Sequence, residues 1–380
     1  MHCCFWAGVP TLHRSITHHH SWRKVFRINL YINPQAPGSG NERMMFSGDE
    51  TGGLVADYGT HTSKFGFAGE DCPRSVWRTQ HDFSTEFSKG IAGLSEGIDP
   101  SDHPIIATVP WDLSDKEKIQ WTGKAFELNA PAVYLLRSPV AGAFAVGKST
   151  ALVVEVGASS ARVCPVYEGH ALLKCTRSST ELGGEQLSKA VAVAVGSQLA
   201  APAKNAAKEK VALYRLRVDD IKQTCCQVWR TPPFSASSVP ESNRGEYALP
   251  DGKIVRLGSS RYELCESLFD KTSGIAALVY DSLSACEPDL RRTFAQEIVI
   301  NGGGSLLDGL GERLGAELSL RLPHAFKPRV VSPGSTIERK FAPFVGCSVL
   351  ASLGSFQQLW LSRKEWDEEG ERLVIERFVQ

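Results

Sequence analysis

The sequence predicts an α/β fold made of two related halves around one ligand cleft, and three observations predict it. The first is an internal echo. Leu54-Val55-Ala56-Asp57-Tyr58-Gly59-Thr60 returns about a hundred residues later as Leu152-Val153-Val154-Glu155-Val156-Gly157-Ala158. Each copy reads as a buried strand, an acid and a glycine turn. A second strand follows each turn, Thr62 to Ala68 with Lys64 and Ala161 to Tyr167 with Arg162. Such a duplication lets two halves present facing hairpins to a nucleotide, with turn N–H groups on phosphates and the acids near a cation. Either copy alone fits an ordinary buried strand before a tight turn better; the matched pair reverses that and favours duplication. The second observation is Ile298-Val299-Ile300-Asn301-Gly302-Gly303-Gly304-Ser305, a buried strand that runs into three glycines and then a helix over Leu306 to Leu320. Glycines there let the backbone approach a ligand at the helix start. The third is the alternation of strands and helices between these landmarks, which means α/β layers.

The elements follow in order. Residues 1 to 46 hold half of the histidines within the first twenty positions and no periodic pattern, so they read as a disordered or spurious extension, with Met45 as a start of the ordered chain. Cys3, Cys4, His18, His19 and His20 lack metal-ligand spacing. After the first hairpin, Phe83, Phe87, Ile91 and Leu94 mark one face of a helix over Asp82 to Leu94. His103 to Pro110 is a strand, and Ser114 with Glu117 makes a capping box for a helix through Ile119, Thr122 and Phe126. Strand Ala132 to Leu136, a small-residue helix from Pro139 to Val146 and the second hairpin come next. From Gly183-Gly184 to Lys271 the pattern turns helical, with Val218, Ile221 and Val228 on one face, a loop over Arg230 to Glu246, and a turn at Pro250-Asp251-Gly252 between short strands. Val345, Val349, Leu353, Phe356 and Trp360 space one last helix from Val345 to Trp360.

Composition narrows the class. The 380 residues are 42% hydrophobic and 22% charged, enough for two cores, with no membrane span. Its 42 basic and 42 acidic residues cancel, so nothing electrostatic predicts direct DNA binding. The 10 cysteines form no CxxC pair, and Cys225, Cys226 and Cys347 lie in apolar runs, which predicts free thiols in a reducing compartment and no metal site.

With these motifs in hand, the chain resembles the actin superfamily from about Phe46 onward. The strongest stretch runs from Gly346 to Trp360; the first hairpin, Asp57 to Glu70, and Tyr247 to Lys253 are also close. Met45 to Glu50, Ala342-Pro343-Phe344 and Gly354 are similar in style to the nuclear actin-related subunits of chromatin-remodelling and histone-acetyltransferase complexes. Conventional actin and other nuclear relatives stay as alternatives. The resemblance implies an actin-like ATPase fold of two duplicated RNase H-like domains flanking a nucleotide cleft. It assigns 47–145 plus 341–380 to the first half, 146–183 plus 271–340 to subdomain 3 and 184–270 to subdomain 4. The interval from Pro73 to His103 is too short for the family's outer subdomain, through a deletion or a missing exon, so that subdomain is truncated and polymerisation should fail.

For ATP, with or without Mg2+, the resemblance implies contacts from Asp57, Gly59, Thr60, Lys64, Glu155, Gly157, Gly184, Lys222, Gly302, Gly303, Gly304 and Lys340. It also marks departures: Glu155 and Ala158 stand for two Asp residues, Ser138 for the Gln that orients the attacking water, Leu307 for an aromatic over the base, and Asp219 and Gln223 for an Arg and a Glu. Binding with slow turnover is therefore expected, and no catalytic residue is assigned. A groove of Phe144, Gly147, Ser149, Gly169, His170, Val349, Leu350 and Leu353 would take a partner helix, or these residues simply pack a subdomain interface. The implied partners are the helicase-SANT-associated helix of a remodeller ATPase, a conventional actin and other complex subunits, in the nucleus. An active ATPase and a filament-forming cytoskeletal actin are the competing classes.

Overall fold

The computed structural model describes residues 52–80, 83–94, 98–203, 205–239 and 245–378. The expectations for residues 1 to 46 and the motif Met45 to Glu50 lie outside them, as do Asp82 and part of the loop from Arg230 to Glu246. In chain order the elements are β1 (Leu54–Tyr58), β2 (Thr62–Phe67), β3 (Ser75–Arg78), α1 (Phe83–Ala92), β4 (Ile105–Val109), α2 (Asp115–Glu127), β5 (Ala132–Arg137) and α3 (Ser138–Phe144). The second half opens with β6 (Ala151–Val156), β7 (Ala161–Tyr167), β8 (His170–Ala171) and β9 (Arg177–Ser179). Helices α4 (Gly184–Ala194) and α5 (Lys208–Cys225) lead to β10 (Glu246–Ala248), β11 (Ile254–Arg256), α6 (Ser260–Glu266), α7 (Ile275–Ala285), α8 (Pro288–Gln296) and β12 (Ile298–Asn301). The chain closes with α9 (Leu310–Arg321), β13 (Val330–Val331), α10 (Thr336–Lys340), α11 (Ala342–Ala351), β14 (Leu361–Ser362), α12 (Arg363–Glu369) and α13 (Glu371–Arg377).

Strand order carries the duplication from motif to architecture. One sheet runs β14-β5-β4-β1-β2-β3 and the other β13-β12-β6-β7-β8, with β9 also on β7. In each, a hairpin (β1–β2, β6–β7) is antiparallel, and two further strands add in parallel on the side of its first strand (β4 then β5; β12 then β13). The central strands are apolar on both faces because helices cover both: Leu152, Val153 and Val154 of β6 are fully buried, as are Ile106 and Val55. The two-stranded pair β10–β11 turns at Gly252, whose φ of 85° suits glycine.

The interval read as too short for an outer subdomain holds β3, α1 and a short turn before β4. Strand β3 pairs with β2 in the main sheet, and α1 is tied to it by Glu86, which accepts from Gln80 N at 3.0 Å and from the Trp77 indole. No separate sheet forms there among the described residues.

Several boundaries differ from the sequence reading. The capping box at Ser114 and Glu117 forms as expected and starts α2. Val228, placed on a helix face with Val218 and Ile221, lies beyond the end of α5; its N–H donates to Asp308 O at 2.8 Å instead. The helix expected from Leu306 starts at Leu310, because Gly303 to Leu306 tighten into a 3-10 turn and Gly309 takes a left-handed φ of 83°. The single helix from Val345 to Trp360 is two pieces: α11 ends at Ala351, and Gly354–Gln358 is a separate 3-10 turn. Strand β14 and helices α12 and α13 were not foreseen. A capping box of Ser362 and Glu365 starts α12, and Arg377 returns to Glu365 at 2.8 Å to pin α13.

Helices α3 and α11 cross where both are stripped to small residues. A Cβ on Gly346 would collide with the Ala141 carbonyl, and one on Gly142 with the Asn301 amide. Here the C-terminal segment, returning to the first sheet, packs on the helix that links the two sheets.

Candidate nucleotide cleft and partner groove

Each hairpin places its charged pair in the same register. Asp57 faces Lys64 across β1–β2, and Glu155 faces Arg162 across β6–β7. The turns match too, Gly59 N donating to Thr62 O at 3.1 Å and Gly157 N to Ser160 O at 2.9 Å. The two tips meet: Thr60 Oγ1 donates to Ser159 Oγ at 3.3 Å. Lys64 pairs with Asp57 at 2.8 Å, both buried, while the other Asp57 oxygen accepts from Thr108 at 2.6 Å. Glu155 accepts from Ser138 Oγ at 3.0 Å. Burial drives its carboxyl above the ordinary glutamate range; Arg162 and the Ser138 hydroxyl oppose that rise, and the charges of Asp57 and Lys64 reach it from the other hairpin.

The glycines divide by role. Gly302, with φ 89°, and Gly304 press against Val156, so any Cβ would meet that residue, whereas Gly303 borders open space. Gly184 N donates to Gly157 O at 2.9 Å, setting the start of α4 on the second turn. Lys222 of α5 reaches the same place, donating to Gly184 O at 3.1 Å and Ser188 Oγ at 2.8 Å. His61 of the first turn is held below its ordinary value by burial and by Arg78, and Asp219, Lys222 and Glu185 act on it from the far side. Lys340 is exposed, its ammonium over the Phe341 ring at 5.3 Å. Its neighbour Arg339 makes the link to the glycine turn, its carbonyl accepting from Gly302 N at 3.0 Å.

Two polar residues here escaped the sequence reading. Thr108 is 2% exposed and Asn301 1% exposed, and the Asn301 side-chain nitrogen has no partner. Thr108 pairs with Asp57 and Asn301 with Glu155 in the parallel ladders, so each sheet carries a row of base, acid and neutral polar residue. Their signal was a lone polar side chain at or next to the end of an apolar strand.

The residues fit a polyphosphate better than a metal. The open edge at Gly303, two glycine turns and Lys64 suit phosphates. Asp57 has both oxygens engaged, Glu155 is drawn toward its neutral form, and Ala158 offers no carboxylate. No group of three His, Cys, Asp or Glu side chains could hold a metal among the described residues.

The groove residues fall into two sets. Gly169 N donates to Ser149 O at 2.7 Å, a Cβ on Gly169 would touch the Phe144 ring, and Gly147 caps the same turn with N to Phe144 O at 2.9 Å. His170 is exposed, and Ser149 and Gly147 half-buried. On α11 and just past it, Val349 and Leu353 are half-buried, but Leu350 is 3% exposed. Leu350 faces the core because α11 is covered on nearly every side, so it cannot present a free apolar surface as the sequence reading held.

The sequence pattern of the family described as Actin matches residues 92–379. The chain belongs to the actin family. It is 27% identical to "Actin-related protein 4" of Arabidopsis thaliana over 86% of this chain and 98% of that protein. The protein of the same name from Yarrowia lipolytica is 29% identical over 88% and 97%, and that of Schizosaccharomyces pombe 25% over 87% and 98%. The alignment to the Arabidopsis protein spans 436 positions, more than the 380 residues of this chain, so that relative carries segments absent here. No helix among the described residues is long and apolar enough to cross a membrane.

Proposed function

We propose that this actin-family chain is a structural and interaction subunit of nuclear chromatin-remodelling or histone-acetyltransferase complexes, one that binds ATP with little hydrolysis and does not polymerise. Its similarity to proteins named Actin-related protein 4 and the subfamily style of Ala342-Pro343-Phe344 and Gly354 support the assignment. The observation that carries it is the hydrogen bond from Ser138 to Glu155. Cutting a phosphoanhydride needs an in-line water held by a side chain that reaches the terminal phosphate. Ser138 is short, and its hydroxyl is already spent on the acid beside it. The hairpins then grip a nucleotide without turning it over, and the ligand ties the two halves together by mass action.

In this reading the binding work is done at the groove. Gly147, Ser149, His170, Val349 and Leu353 line its accessible part, with Phe144, Gly169 and Leu350 packed beneath as support, and there an amphipathic helix of a remodeller ATPase docks beside a conventional actin. Val349→Asp with Leu353→Asp should abolish co-precipitation of that helix, with the thermal unfolding of the subunit unchanged. Capture that persists in the double variant contradicts the groove.

A further inference from the structure

Lys64 and Arg162 hold equivalent positions in the two hairpins, each directly across the ladder from its acid. Directly opposed residues of an antiparallel pair share a face. Their surroundings differ. Lys64 closes on Asp57 at 2.8 Å, whereas Arg162 is half-buried and its guanidinium makes no ion pair or hydrogen bond with any other described residue. The acid opposite, Glu155, is instead bonded by Ser138. On the other flank of Glu155, Asn301 adds a second unanswered donor, its side-chain nitrogen buried without a partner. The Asn301 nitrogen is enclosed against Gly142, but the half-buried Arg162 guanidinium, unpaired beside an engaged acid, leaves its donors free for acceptor atoms from outside the chain.

The planar five-donor fork of arginine matches phosphate oxygens. A divalent cation finds the opposite environment. Mg2+ favours several oxygen ligands, and here Ala158 brings no carboxylate, Glu155 already accepts from Ser138, and each oxygen of Asp57 already accepts one bond, from Lys64 or from Thr108. The positive charge that a metal would bring to a polyphosphate is here carried by side chains, since the Lys64 ammonium has donors beyond the one on Asp57.

We propose that Arg162 is a second polyphosphate contact, the counterpart of Lys64 on the opposite hairpin, and that together they let the cleft take a nucleoside triphosphate without a divalent cation. This rests on the nucleotide reading above. The test is calorimetric titration of ATP, in excess EDTA and in Mg2+, into the full chain and its Arg162→Ala and Arg162→Lys variants, with adenosine as the phosphate-free probe and circular dichroism to verify folding. The affinity of the parent for ATP should agree within about threefold between the two conditions, and Arg162→Ala should weaken ATP in EDTA by about ten- to a hundredfold while leaving adenosine unchanged. Arg162→Lys, which keeps the charge and loses the fork, should recover part of the loss. Binding by the parent in Mg2+ alone, or a folded Arg162→Ala or Arg162→Lys chain in which ATP affinity equals the parent's for both, overturns the proposal and leaves the nucleotide reading standing. If the parent binds no ATP in either condition, the nucleotide reading itself falls and takes this inference with it.

Discussion

Burial lifts the carboxyl of Glu155 above its ordinary range, against the pull of Arg162 and Ser138. The folded chain therefore holds that proton more tightly than the unfolded one, and stability is lost as pH climbs from the usual glutamate value toward the raised one. Glu155→Gln removes that cost while keeping an oxygen for Ser138, so it should raise the melting temperature at neutral pH. The gain should vanish in acid, where the parent carboxyl is protonated in both states; a gain independent of pH contradicts the assignment. The glycine triplet gives a second contrast. Gly303→Ala meets open space and should change folding stability by less than about 0.5 kcal/mol, while a Cβ on Gly304 would sit 2.5 Å from Val156 Cγ1. Gly304→Ala should cost about 1–3 kcal/mol by chemical denaturation. At this scale the sequence disclosed the charges better than their supports. Asp57, Lys64 and Glu155 stood out as ions inside apolar strands, and the structure brings them together. Thr108 and Asn301 did not, since one neutral polar residue near a strand end has many uses, and Lys340, which the family pattern pointed to, is exposed beside Arg339, whose carbonyl accepts from the glycine turn.

Helix periodicity was a sound guide within elements and a poor one across their ends. The spacing from Val345 to Trp360 continues by coincidence through a break at Ser352 and Leu353, and Phe356 and Trp360 are buried from a different turn. The signal for the missed C-terminal helices was present: Ser362-Arg363-Lys364-Glu365 repeats the capping-box pattern that correctly started α2. Ser362→Ala should therefore cost about 1 kcal/mol, and an unchanged unfolding midpoint contradicts a structural role for that cap. Close contact between α3 and α11 depends on Gly346 meeting Ala141. Because the obstacle there is backbone and cannot rotate aside, Gly346→Ala should destabilise by about 1–3 kcal/mol or more. The burial of Leu350 also changes how the groove is tested: an Asp there would damage the core, so loss of a partner would say nothing about docking.

For the whole molecule, the duplicated hairpin read from two short motifs extends to two sheets with one strand order, which is why the fold class was legible from so few residues. A repeated topology constrains everything between its landmarks. Less was legible where the chain departs from its family, as in the short stretch from Pro73 to His103. There β3 and α1 pack into the main sheet, and the described residues offer no outer sheet for a neighbouring subunit. Under salt and Mg2+ the protein should stay in the supernatant on high-speed sedimentation; a pellet of filaments contradicts the account. The central claim is that both hairpins grip one nucleotide and leave it uncut. It is tested most directly by counting bound ATP and released phosphate in the same titrated sample. The account predicts a single ATP per chain with phosphate release at the background rate, and either an empty cleft or brisk release would contradict it.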